Sequence, residues 1–245
     1  MKIRIKFRKY GVMKFIGHLD IMRYFQKAMR RAEIDICYSE GFSPHQIMSF
    51  ASPLGVGITS DGEYLDIEVN STLSTEDALR ALNDTMVEGV EIVDYVQLPD
   101  NAKTAMYIVA AADYDLYFKE GYEAPVEVEQ FAEGIENFFT RRSEVLITKK
   151  TKKSEKVMDL KQLVYDFKVE SKVREDGVSV PSFYLMLSTG SSDNLKPELV
   201  VEALFEALGL TYDANAIQIH RRDVYASASE GKGYISLGKM GTKIK

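Results

Sequence analysis

Lys2-Ile3-Arg4-Ile5-Lys6-Phe7 alternates cation and hydrophobe with a period of two. That pattern predicts a half-buried strand with Ile3, Ile5 and Phe7 inward and the cations along the other face. Downstream, Leu19, Met22, Phe25, Met29 and Ala32 recur at helical spacing, with Arg23, Lys27, Arg30 and Arg31 mostly on the opposite side, the pattern of an amphipathic basic helix. Ser39 to His45 is turn-rich, and Pro53, Gly55, Gly57 and Gly62 punctuate the next stretch of chain. Glu63 to Val69 alternates again as a strand. Ser74 or Thr75 then caps a helix that opens with Glu76 and Asp77, and Val90 to Leu98 supplies another strand. The order β-α-β-β-α-β is that of a ferredoxin-like domain.

Beyond the turn at Pro99-Asp100-Asn101 the order starts again. Strands are expected at Met106 to Phe118, Val145 to Thr148, Leu163 to Val169, Phe183 to Ser188 and Ile217 to Tyr225, with helices at Val126 to Phe139 and Lys196 to Leu208. The sequence therefore predicts an α+β chain of two tandem ferredoxin-like (βαββαβ) domains, residues 1–99 and 100–225. The stretch 226–245, rich in Gly, Ser and Lys, reads as a mobile tail.

With 45% hydrophobic and 28% charged residues the composition is that of a folded globular protein. The alternating N-terminus and the lack of any apolar run near the ~18 residues of a membrane span point to a cytoplasmic protein with no membrane contact. One cysteine, Cys37, leaves no intrachain disulfide and no CxxC-type metal site, so no metal or cofactor is expected in this chain. The net charge is −6, yet residues 1–60 hold ten Lys and Arg against four Asp and Glu. Such asymmetry predicts a basic footprint on an otherwise acidic protein.

The stretch from Gly17 to Gly57 gathers the candidate site. Lys6 on the first strand and Arg23, Lys27 and Arg30 on the helix offer cations, and Asp20 lies beside His18 at the helix start. Gly41, Phe42, Ser43 and His45 form the loop, while Gly55 and Gly57 allow close backbone approach to an anion. His18 and His45 are the candidates for acid–base work, against the alternative that His18 caps and packs. Phe42 and Tyr38 could stack on bases or lie in the core. Lys149, Lys150, Lys152, Lys153 and Lys156 form a second basic run, read as a solvated hairpin tip with phosphate contact as the alternative, and His220-Arg221-Arg222-Asp223 adds cations on the last strand. No P-loop, Rossmann fingerprint, Gly-x-Ser-x-Gly or HExxH occurs.

Gly17-His18-Leu19-Asp20, Glu40-Gly41-Phe42-Ser43-Pro44-His45, Ser52-Pro53-Leu54-Gly55-Val56-Gly57 and Glu63-Tyr64-Leu65-Asp66 together resemble the radical SAM-associated protein family. This is a domain-of-unknown-function family found beside, or fused to, a B12-binding-type radical SAM protein. Val157-Met158-Asp159-Leu160 resembles a further family element, with Met158 inserted and Lys161 where the family has arginine. The resemblance implies a radical SAM partner that holds the SAM and the iron–sulfur cluster, and a substrate class of RNA or the translation machinery. Three functions are expected on this basis. The first is an accessory RNA-binding or substrate-presenting protein; the second is a module that docks the radical SAM partner without nucleic acid. The third is a metal-independent RNA-processing enzyme using His18 or His45, although no reaction is assigned to the chain on its own.

Overall fold

A computed structural model describes residues 1–150, 155–190, 193–228 and 233–245 of the chain. It is a mixed α+β protein whose strand pairings are mostly antiparallel, with six α-helices among the described residues. The chain forms two compact units, Met1–Ala111 with Arg221–Lys245, and Ala112–His220. The expected boundaries at residues 99 and 225 fall elsewhere, because the chain passes between units inside two strands.

In the first unit the elements are β1 (Lys2–Lys9), a 3-10 turn (Gly11–Phe15), α1 (His18–Arg31), β2 (Met48–Phe50), β3 (Thr59–Glu68), α2 (Thr75–Asn83), β4 (Val90–Gln97) and α3 (Ala105–Ile108). β1 lies between β4 and β3, antiparallel to both, and β2 pairs antiparallel with Leu65 to Ile67 of β3. Ile3, Ile5 and Phe7 are buried as their spacing predicts, and pack with Ile21, Phe25 and Met29 of α1 and Ala78 and Leu82 of α2. On α1 the inward position is Ile21 rather than Met22, which is only half-buried. Ser74 caps α2, its hydroxyl accepting from the Asp77 amide at 3.1 Å.

The last residues also belong to this unit. β10 (Ile217–Ser227) contributes its part from Arg221 onward, and β11 (Tyr234–Ser236) pairs with Tyr225 to Ser227. The expected mobile tail is instead docked at several points: Leu237 is fully buried, Thr242 exchanges backbone hydrogen bonds with Gln97, and Ile244 accepts from the Thr75 amide. A buried leucine and backbone pairing hold a segment whose composition alone reads as loose.

The second unit takes β5 (Val109–Phe118) from Ala112, then α4 (Val128–Thr140), β6 (Leu146–Lys150), β7 (Glu155–Asp159), α5 (Leu160–Leu163), β8 (Val164–Val173), β9 (Ser179–Ser188), α6 (Pro197–Ala207) and the start of β10. The strand order is β10-β5-β9-β8, while β6 and β7 form a separate two-stranded hairpin. Its core is aromatic, with Phe131 stacked among Phe118, Phe183 and Phe205 at centroid distances of 4.9 to 6.3 Å. The strand expected from Met106 begins only at Val109, because Ala105 to Ile108 forms a helical turn whose first amide, on Ala105, donates to Asp66 at 2.6 Å. Of the second basic run, Lys152 and Lys153 lie outside the described residues. Lys149, Lys150 and Lys156 sit on the β6–β7 hairpin.

Candidate functional site

β3 is the strand on which the first unit's polar side chains are organised. Its Tyr64 and Asp66 project to the same face as Lys6 and Arg4 of β1, since residues paired across an antiparallel ladder share a face. Arg4 is 1% exposed and grips Asp66 with two hydrogen bonds of 2.7 and 2.9 Å. Lys6 meets Asp223 at 3.3 Å, and Asp223 also accepts from the Tyr64 hydroxyl and from Ser236. Arg8 is shared between Asp61 and Glu91. The cationic strand face expected to meet an anion is therefore already neutralised from within, and Lys6 does not belong to an open site. Burial, then the charge of Asp223, raises the Tyr64 phenol above its ordinary pKa.

Glu63 points the other way, in phase with Leu65 and Ile67, and both its oxygens accept from Arg221, at 2.8 and 2.6 Å. Arg221 also donates to the Ser52 carbonyl at 3.0 Å. Gly62 is required beside this pair, because a Cβ there would meet the Arg222 carbonyl oxygen and Asp223 Cα at 2.7 Å. Glu-Tyr-Leu-Asp is thus a stitching motif: Glu63 holds Arg221, Tyr64 holds Asp223 and Asp66 holds Arg4.

Next to Glu63 lies Lys9, a residue 3% exposed, whose partly buried ammonium donates to the Ile16 carbonyl at 2.7 Å. Burial lowers its pKa; Glu63 opposes the shift and Arg221 adds to it. His18, which opens α1 behind Gly17, sets its ring edge-on to Phe50 at 5.3 Å. Lys9, His18, Phe50, Ser52, Pro53, Leu54 and Glu63 line a pocket of roughly 10 Å³, room for one water-sized atom. Gly57 donates to the Lys14 carbonyl at 2.8 Å and ties the Ser52 to Gly57 loop to the 3-10 turn. At this corner Val12, Phe15, Leu19 and Val56 stand 62% to 76% exposed.

The other predicted residues lie apart. The Ser39 to His45 loop is closed by the Ser39 amide on the His45 carbonyl and by a 2.8 Å contact between Ser39 Oγ and His45 Nδ1. Gly41 takes a positive φ of 108°, Ser43 is exposed and Phe42 projects fully into solvent, so Phe42 is no core residue. His45 precedes Phe50 by five residues of extended chain, about 16 Å. The structure thus separates His18, Gly55 and Gly57 from Gly41, Phe42, Ser43 and His45. Along α1, Arg23, Lys27 and Arg30 are exposed, with Asp20 3.4 Å from Arg23.

Lys9 and Arg221 were not among the predicted site residues. Lys9 carried a signal, since it continues the inward series Ile3, Ile5, Phe7, where a cation is out of place; Arg221 was legible only as one cation of the His220 to Asp223 run, because its partner is 158 residues away.

Residues 2–197 match the model of a family described as an uncharacterized protein conserved in bacteria, DUF2344. The chain belongs to that family. The DUF2344 match takes in Lys9, His18, the Ser52 to Gly57 loop and Glu63, and stops short of Arg221. No curated protein matches the chain. Among the described residues no helix is long and apolar enough to cross a membrane.

Proposed function

We propose that this DUF2344 protein is an accessory binding protein that docks on a protein partner and does no chemistry alone. The observation that carries this reading is the corner of Val12, Phe15, Leu19 and Val56, large apolar side chains left in water beside Lys14 and Arg23. Exposed apolar clusters of this kind mark protein–protein contacts. The partner is the radical SAM enzyme that the sequence resemblance implies, which would supply the SAM and iron–sulfur chemistry. Each unit is read as a ferredoxin-like module, on strand orders β4-β1-β3-β2 and β10-β5-β9-β8. Co-expression with the radical SAM protein tests the docking. The pair is expected to co-purify after nuclease treatment, and Phe15→Asp with Leu19→Asp is expected to separate it. Retention of the double variant on the partner would overturn this reading.

The exposed cations of α1 and the bare aromatic tip at Phe42 favour a second reading, RNA presented to the same partner. With Arg4 and Lys6 consumed by ion pairs, the footprint shrinks to Arg23, Lys27 and Arg30. Three phosphate contacts correspond to a log–log salt slope of about −2 on single strands. Filter binding between low and moderate salt measures it, and an absence of binding at low salt removes this reading. In a third reading, metal-independent RNA processing, His18 or His45 would each act as acid–base group alone, since the two stand at opposite ends of β2.

A further inference from the structure

Lys9 is a cation that the fold holds by one backbone carbonyl. Its ammonium has three N–H groups, and the Ile16 carbonyl accepts one. Glu63, the acid whose charge acts on Lys9, has both oxygens taken by Arg221, and among the described residues no carboxylate lies within ion-pair distance of Lys9. Even a partly buried ammonium in this state carries a desolvation cost, and charged groups in protein interiors are normally paired. The pocket against it admits one atom of oxygen size. Its apolar walls are Phe7, Ile21, Phe50, Pro53 and Leu54, with His18, Ser52 and the Arg221-paired Glu63 completing the lining, and the chain on either side of His18 and Leu54 carries the exposed Phe15, Leu19 and Val56.

We infer that the Lys9 pocket receives one oxygen of a carboxylate borne on an apolar segment of a partner protein, with the partner's hydrocarbon lying over Phe15, Leu19 and Val56. A carboxylate suits the site better than a phosphate. It can bury a single oxygen while its aliphatic stem covers the apolar rim, whereas a phosphodiester brings several hydrated oxygens to walls that offer few donors. This inference rests on the docking reading above and gives it a specific anchor: an Asp or Glu side chain, or a chain-terminal carboxylate, flanked by aliphatic residues. The charged and titratable groups that face Lys9 are Glu63 of β3, Arg221 of β10 and His18 of α1.

The test uses the full chain with hexanoate, hexanol, inorganic phosphate and a single-stranded oligonucleotide as probes, followed by backbone amide NMR shifts. Hexanoate is expected to shift His18, Leu54 and Lys9 saturably, and hexanol is not. Lys9→Met is expected to weaken hexanoate at least tenfold. In the unaltered protein the affinity is expected to fall as rising pH removes the Lys9 proton, which tests the idea even if the variant fails to fold. Undiminished hexanoate binding in folded Lys9→Met, or tighter binding of phosphate or oligonucleotide at the same amides, would overturn the inference. Co-purification separates the two levels. Loss of the partner in the Phe15→Asp, Leu19→Asp protein but not in Lys9→Met keeps the docking and rejects the pocket; retention in both rejects the docking itself.

Discussion

The His18 corner and the Ser39 to His45 loop stand at the two ends of β2 and are built on opposite principles. At the corner, Glu63 and Arg221 are withdrawn from water, and a one-atom pocket opens beside Lys9. At the loop, every polar contact is local, between Ser39, Ser43 and His45, and the largest side chain, Phe42, touches nothing that shields it. The corner is coupled to the fold through partners far away in sequence, whereas the loop is a self-contained tip. Substitutions in the Glu63–Arg221 pair should therefore register as lost stability, and substitutions at the loop only as lost binding.

The largest effect is expected from breaking the buried pair. Arg221→Met leaves Glu63 charged and alone, and urea unfolding should show a loss of about 3–5 kcal/mol. Glu63→Gln added to Arg221→Met should recover much of it; no recovery would show that Arg221 acts through other contacts. Gly62→Ala should cost about 1–3 kcal/mol, because the new Cβ must push against the β10 backbone. Alkaline pH sharpens the comparison further. The folded state keeps the Tyr64 proton more tightly than the unfolded chain does, so its contribution is intact below pH 10 and is lost as the pH climbs above that value. Lys9 has the opposite sign. Its folded pKa is lowered, so the unfolded chain binds more protons and stability rises as the pH approaches 10.5 from below. Unfolding curves taken across this range should lose the first trend in Tyr64→Phe and the second in Lys9→Met. The smallest effect belongs to the loop. Phe42→Ser should change stability by less than about 0.5 kcal/mol, and a larger loss would erase the contrast between the two ends.

Periodicity alone identified much of the first unit, because Ile3, Ile5 and Phe7 of β1 are buried at a spacing of two and Phe25 and Met29 of α1 at a spacing of four. The second unit was legible as a list of elements. The lysine run was legible as a hairpin, which β6 and β7 form, but that this hairpin stands apart from the other strands was not, since sheet membership depends on neighbours that a local pattern does not name. The site was legible only in part. His18 and the Ser52 to Gly57 loop were singled out and do meet at one corner, but Lys6 was assigned to a surface that Asp223 already covers. A cation on the outer phase of a strand looks solvent-facing until the strand or segment laid against it is known.

The sequence by itself determined that Ile3, Ile5 and Phe7 of β1 and Phe25 and Met29 of α1 lie inward, where the turns fall, and that basic residues crowd into the first 60 positions. Those properties are local, set by backbone geometry and the cost of wetting hydrocarbon. Only the tertiary structure decided which of those charges remain available. Arg4 and Lys6 are neutralised by Asp66 and Asp223, 62 and 217 residues along the chain, while Lys9 is buried beside a carboxylate already bound to Arg221. Charge pairing acts through space over a few ångströms, so the meaning of a lysine depends on what the fold brings next to it.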